Sequence, residues 1–309
     1  LEIAPDPEAE PRVFVVPEGV SQRRLGEMLS EEGLIESAWL YRLLLYLEPH
    51  GPSPKAGRHP VSASMTPKEL RAQLARPPLP EDEPFTVVEG WRLVDTDAAL
   101  TRAGLIDAGA YVAAASRPSD FRAPFELEGE TLEGYLLAET YSFPRDRFDV
   151  QSFLQRQIDT LVARFHQPFR DEIEASGHSI QTLVTIASML EREEPNPDNR
   201  PLVAGVMHTR LDRGMPLGID ATSRYTLDQW NDRKAFLKKL RDPDDPYNTR
   251  LRTGLPPTGI GAPSLDALMA ALRPKPSDYL YYLHDDQKRI HFARTAKEHE
   301  ANRRKYNVW

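Results

Sequence analysis

A carboxyl group at the end of an apolar helix stripe is the clearest chemical signal in this sequence. Leu183, Ile186, Leu190 and Glu193 recur at helical spacing between about Ile180 and Glu194. At about 100° per residue they share an arc of roughly 80°, and Glu191 lies well off its centre. Desolvation on that face disfavours the charged carboxylate. Pro195 forces the helix to end nearby, and the unpaired carbonyls there add partial negative charge. Both effects raise the pKa toward the range of a general acid. The spacing also suits a structural carboxylate paired with Arg210 or Arg213, and Glu191 is the fallback for the acid.

Other chemistries lack their sequence support. None of the 309 residues is cysteine, which removes disulfides, thiolate metal ligands and cysteine nucleophiles. The histidines are scattered and His299-Glu300 has no second histidine at zincin spacing, so neither a metal nor a cofactor is expected. Asp242, Asp244 and Asp245 open like a calcium loop, but its sixth position is not glycine and its twelfth, Thr253, is no carboxylate. Gly259 and Gly261 lack the third glycine of a dinucleotide fingerprint, and there is no Gly-x-Ser-x-Gly elbow. Lys and Arg total 39 against 47 Asp and Glu, a formal charge of −8. Such a body repels a phosphate backbone unless it segregates its basic residues, so nucleic acid is not an expected partner.

The elements that must position the acid follow from periodicity and punctuation. The length suits about two domains, and the 28 prolines imply many interrupted loops. Ala4–Pro11 reads as part of an acidic, proline-rich tether over residues 1–12. With Leu1 in place of a methionine, it suggests a chain from which a signal or anchor was removed. No run approaches the roughly 20 apolar residues of a membrane span, and Leu40–Leu47, interrupted by Arg42, reads as a buried helix. Val13–Val16 is a strand, Ser21 and Ser37 start helices, and Thr66-Pro67-Lys68-Glu69 has capping-box spacing. A shift of 71 residues superposes Phe14 on Phe85, Glu18-Gly19 on Glu89-Gly90, and Gly33-Leu34-Ile35 on Gly104-Leu105-Ile106, the pattern of an internal repeat. The texture changes near Phe125. Beyond it lie an amphipathic helix over Val150–Phe169, the acid-bearing helix, a charged connector at Asn231–Asp245, a Pro/Gly-rich loop, and a strand at Tyr279–Leu283 paired with Arg289–Ala293. The expected organisation is a tether at 1–12, an N-terminal region at 13–124 and a catalytic domain at 125–309, of α+β class.

Ile186-Ala187-Ser188-Met189-Leu190-Glu191-Arg192-Glu193 resembles the Ala-Ser-x-x-Glu-Lys-Glu signature of the MltG (YceG-like) endolytic murein transglycosylases. Val203–Leu217 with Asp220 and Thr222, then Asp245–Pro257, then Ser277–Tyr282, and Phe292 through His299 are similar to that family's later segments in the same order. Leu132-Glu133-Gly134-Tyr135 with Glu139-Thr140-Tyr141 resembles the opening of its catalytic domain, and the first strand-helix unit resembles its LysM-like subdomain. Departures are Gly218 for a glutamine, Thr209 for an asparagine, Glu139 for an aspartate and Glu300 for the final asparagine.

The resemblance implies a LysM-like strand/helix module followed by a mixed α+β catalytic domain with a groove. It implies cleavage of the β-1,4 bond between N-acetylmuramic acid and N-acetylglucosamine with 1,6-anhydro ends, terminating or trimming nascent strands. Its essential glutamate falls on Glu193. Glu139, Tyr141, Asp220, Thr222, Tyr247, Asn248 and Thr249 are the candidates for the sugar groove, since amide, hydroxyl and phenol groups suit N-acetyl and hydroxyl recognition. The same residues also suit loop scaffolding. Tyr135 or Tyr141 can stack on sugar faces or pack beneath the acid's helix. Implied partners are glycan strands and peptidoglycan synthases, and the implied location is the bacterial inner membrane, facing the periplasm or outside, with membrane contact only through an anchor absent from this chain. The rival readings are a two-carboxylate hydrolase using Glu193 with Asp220 or Glu139, and a catalytically silent wall-binding scaffold. A net acidic chain facing a carboxylate-bearing polymer argues for recognition by groove shape rather than by charge.

Overall fold

The computed structural model describes residues 4–79, 82–144 and 147–308, so the first three residues of the expected tether lie outside the described residues. The chain divides into two compact units. One runs to Glu83 and includes Phe143, Pro144 and Arg147; the other comprises Pro84–Ser142 and the chain from Phe148 onward. This division at 83/84 differs from the boundary at 124/125 read from sequence, and hydrogen bonds supply the reason. The Gly90 N–H donates to Ala262 O, the Ala262 N–H to Trp91 O, and the buried Arg92 donates to Tyr225 O and Leu227 O.

In the first unit, β1 (Arg12–Val16) pairs antiparallel with β2 (Gly57–Val61), surrounded by α1 (Gln22–Glu31), α2 (Ala38–Leu47) and α3 (Pro67–Leu74). Phe14, Val16, Leu25, Leu29, Tyr41 and Leu70 form its core. Sequence-predicted starts are realised: Ser21 caps α1, Ser37 caps α2, and Thr66 with Glu69 closes a capping box around Pro67. The expectation of a buried helix at Leu40–Leu47 is corrected. Tyr41 and Leu44 are buried, but Trp39, Tyr46 and Leu47 are exposed, because a small core covers only one face of α2. Part of the predicted tether is tied down, with the Asp6 N–H donating to Ala63 O and the Ser62 hydroxyl to Ala9 O.

The repeat is real in backbone terms. β3 (Asp82–Thr86) and α4 (Leu93–Arg102) echo β1 and α1, with α4 starting 71 residues after α1. Gly19 and Gly90 adopt φ of 68° and 74° at equivalent turns, a left-handed conformation that glycine takes without strain. Leu34 and Leu105 make the same amide bond, to Leu29 O and Leu100 O.

The second unit continues through α5 (Ala110–Ala115) to the first three residues of β4 (Thr140–Pro144), where Thr140 bonds Thr86 through their hydroxyls. The helix expected over Val150–Phe169 is α6 (Val150–Leu161) extended by a π-helical turn at Val162–His166. Next come α7 (Arg170–Ser176), α8 (Ile180–Glu193), α9 (Arg200–Asp212), α10 (Asp220–Tyr225), α11 (Arg233–Lys239) and α12 (Leu265–Leu272). The hairpin of β5 (Tyr281–His284) and β6 (Ile290–Ala293) pairs Tyr282 with Phe292, and α13 (Ala296–Lys305) closes the chain. α8 is the centre of this core: Leu183, Ile186, Met189 and Leu190 are wholly buried, and the alanines of α12 let that helix approach α8 closely. Among the described residues no helix is long and apolar enough to cross a membrane.

Gly205 lies inside α9, where a Cβ would stand 2.1 Å from Lys275 O. Alanine is worth about 1 kcal/mol more than glycine in a helix, but overlap with a backbone oxygen costs up to about 3 kcal/mol because no rotamer relieves it. Gly205→Ala should therefore lower the thermal midpoint of unfolding measured by calorimetry, and an unchanged or raised midpoint would contradict this packing.

Candidate active site

The turn that ends α8 carries three acidic side chains, and they face three environments. Ser179 caps the start of the helix, and Glu194 leaves it in extended conformation (φ −131°, ψ 103°) immediately before Pro195. The Glu191 side chain is 3% exposed and pairs with Arg200 at 2.6 Å, while also accepting from the Ser264 N–H (2.9 Å) and hydroxyl (2.5 Å). This carboxylate joins α8 to the first residue of α9 and to the cap of α12, a structural task that leaves the fallback acid no access to a ligand. Glu194 is buried, accepts from the Asn196 N–H, and meets His284 Nε2 at 3.1 Å.

Glu193 alone of the three lines a cleft of about 570 Å³. Its Oε2 accepts from the Tyr282 hydroxyl at 3.1 Å. Burial raises its pKa above the ordinary glutamate value, and the nearby Asp220 carboxylate pushes the same way. The Tyr282 hydroxyl, His284 and the Ala221 N–H oppose them. The alternative read from sequence, a pair with Arg210 or Arg213, is not what Glu193 makes. Arg210 instead donates to Leu280 O (2.6 Å), Leu217 O (2.7 Å) and Pro216 O (3.1 Å), binding α9 to the chain entering β5.

Of the predicted groove residues, Asp220 lines the cleft beside Arg250, which donates to its Oδ1 at 2.7 Å. The others stand elsewhere. The Thr222 hydroxyl donates to Ile219 O, and Thr249 Oγ1 accepts from the Ile219 N–H, so both buried threonines hold the turn that presents Asp220. Asn248 is buried and donates to Lys239 O and Asp242 O. Tyr247 packs its ring on Tyr225 and bonds Thr258. Tyr141 donates to Leu137 O with its ring edge-on to Phe153, and Glu139 pairs with Arg164. The Tyr135 hydroxyl, likewise turned inward, receives the Glu128 N–H. Of the two readings the sequence allows, the hydrogen bonds of these residues are those of loop scaffolding, because loop amides and hydroxyls look alike in sequence whether they face a ligand or their own backbone.

Sequence reasoning missed Tyr282, His284, Arg210, Arg250, His299 and Arg303 as cleft residues. One signal was available: strand alternation puts Tyr282 and His284 on one face of β5, where they meet Glu193 and Glu194 in turn. Glu133 shows that a raised pKa does not identify the acid. Burial pushes it up to about 8, yet it faces the Leu93 N–H and Tyr225 and lines no part of the cleft. Asp242 and Asp245 each accept a backbone N–H two residues on, as turn residues do.

The fold and site thus define an α+β protein with the half-buried Glu193 and Asp220 together on a polar, arginine-rich cleft. The chain belongs to the YceG-like family, whose model matches residues 14–305. It shares its fold with a yceG-like protein of known crystal structure from Listeria monocytogenes, with a TM-score of 0.63 and 23% identity over 96% of this chain and 100% of that one. Similar curated proteins include the endolytic murein transglycosylase of Bacillus subtilis strain 168, 33% identical over 57% of this chain and 48% of the relative. That of Streptococcus pneumoniae D39 is 25% identical over 93% of this chain and 57% of the relative. The chain therefore spans about half the length of these relatives.

The division of labour among the acids can be measured. Glu191→Gln breaks a buried pair and should cost about 3–5 kcal/mol in chemical denaturation, whereas Glu193→Gln should leave stability near that of the parent at neutral pH. The folded-state pKa of Glu133 is raised, so its contribution to stability is full below the ordinary glutamate value and is lost as pH rises through the folded value. The window lies between pH 4.5 and about 8. Thermal midpoints recorded across that window should decline less in Glu133→Gln than in the parent.

Proposed function

We propose that this chain is an endolytic peptidoglycan transglycosylase with Glu193 as its single acid and base. The observation that carries the reading is a protonatable carboxyl, raised by burial, on the wall of a cleft. The names of the curated relatives agree with it.

Protonated Glu193 donates to the glycosidic oxygen between N-acetylmuramic acid and N-acetylglucosamine. The anomeric C–O bond breaks, its electron pair leaves with that oxygen as the new 4-hydroxyl, and positive charge grows on the muramyl ring. The ring's own 6-hydroxyl then attacks the anomeric carbon and closes the 1,6-anhydro bridge, while its proton returns to Glu193. No water is consumed, so the second carboxylate of ordinary glycosidases is dispensable. Asp220, clamped by Arg250 beside the acid, holds negative charge where the oxocarbenium-like ring develops and helps to keep Glu193 protonated. On this reading the protein acts on nascent strands at the outer face of the bacterial inner membrane, beside the synthases that make them.

Mass spectrometry of defined glycan strands after digestion tests the reaction. Anhydro-muramyl ends are expected; reducing ends would favour a hydrolase, and no cleavage would favour a binding scaffold. Glu193→Gln should abolish cleavage, and full activity in that variant would remove the assignment. The Tyr282 hydroxyl lowers the pKa of Glu193, so Tyr282→Phe should raise it further. The alkaline limb of the kcat/KM profile, where the acid loses its proton, should then move to higher pH.

A further inference from the structure

Charge is distributed against the average of the chain. In a protein of formal charge −8, the cleft is lined by Arg210, Arg250 and Arg303 against the carboxyl groups of Glu193 and Asp220; His284 and His299 also line it, the first bonded to Glu194 and the second with its pKa lowered by burial. Asp220 is offset by Arg250, at 2.5 Å. Arg210, half-buried behind Tyr281, adds a fixed positive charge. Arg250 and Arg303 keep 47% and 38% of their side chains exposed, and Arg303 pairs with Glu300 and donates to Val308 O, both at 3.4 Å. A groove for neutral sugar needs no such segregation.

We propose that the cleft selects its glycan by carboxylate, with Arg250 and Arg303 receiving acidic groups carried on the muramyl unit. This inference rests on the transglycosylase reading. Guanidinium groups pair carboxylates by charge-assisted hydrogen bonds, and two sources share that chemistry: the lactyl carboxylate of a peptide-free strand and the free carboxylates of a stem peptide. An amidated stem or a chitin oligosaccharide offers neither.

Calorimetric titration of the Glu193→Gln protein, in which the acid is removed, separates these ligands. The probes are peptide-free murein oligomers, oligomers with free-acid stems, the same oligomers fully amidated, and chitin oligomers of equal length. Carboxylate-bearing probes should bind several-fold more tightly than chitin, and the margin should shrink in high salt. Adding Arg250→Gln or Arg303→Gln should weaken those probes by up to about fivefold each, the scale of a half-exposed ion pair, and weaken chitin less. Arg250→Lys should restore part of the margin, which a purely structural role would not. Preference for the peptide-free oligomer assigns the lactyl group, and preference for free-acid over amidated stems assigns the peptide. Equal affinity for chitin and every murein probe, equal losses on all probes in the arginine variants, or no binding at all overturns the proposal. Charge-blind binding by a protein that yields anhydro ends rejects this inference alone, whereas charge-selective binding with no anhydro product rejects the catalytic reading alone.

Discussion

The ion pair between Glu191 and Arg200 is the constraint around which the site is built. The last turn of α8, the first residue of α9 and, from 73 residues further along the chain, the Ser264 cap of α12 meet there. Because both side chains are almost completely out of water, each is tolerated only in the presence of the other and of the surrounding donors. The pair fixes the rotation of α8 about its own axis, and two residues on, roughly 200° around the helix, Glu193 is aimed into the cleft. Of the two nearby glutamates, Glu191 is thus a structural anchor and Glu193 stands on the cleft wall.

Burial supplies acids of raised pKa in more than one place, and access decides which of them can act. Glu133 and Glu193 are both pushed up by desolvation. Glu133 is engaged by α4, accepting the Leu93 N–H beneath the second copy of the repeat. Glu193 is met by a tyrosine hydroxyl on one side and by open volume on the other. The buried threonines and Asn248 serve this geometry indirectly, by holding the turn from which Asp220 and Arg250 reach the same wall.

The internal repeat separates local from tertiary determinants. Its two copies share strand, left-handed glycine turn and helix in the same order, since those depend on residues only a few positions apart. Their fates differ. The first copy builds the core of its own unit, while the second is bound by Gly90, Trp91 and Arg92 to the segments around Tyr225 and Ala262. Hydrophobic texture placed a boundary at Phe125 because it records where composition changes, not which backbone groups find partners.

What the sequence determined by itself is what short range controls: the apolar stripe of α8 ending in Glu193, the serine and threonine caps, the glycine turns, and the β5–β6 hairpin. These follow from periodicities of 3.6 and 2 and from hydrogen bonds three or four residues long. Only the tertiary structure decided that Glu191 is consumed by Arg200, that Tyr282 bonds Glu193 across 89 residues of chain, and that arginines gather at the cleft of an acidic protein. Partners this far apart are chosen by how helices and strands dock, and a polar side chain carries no mark in sequence of whether it will face a ligand, a carbonyl or another charge.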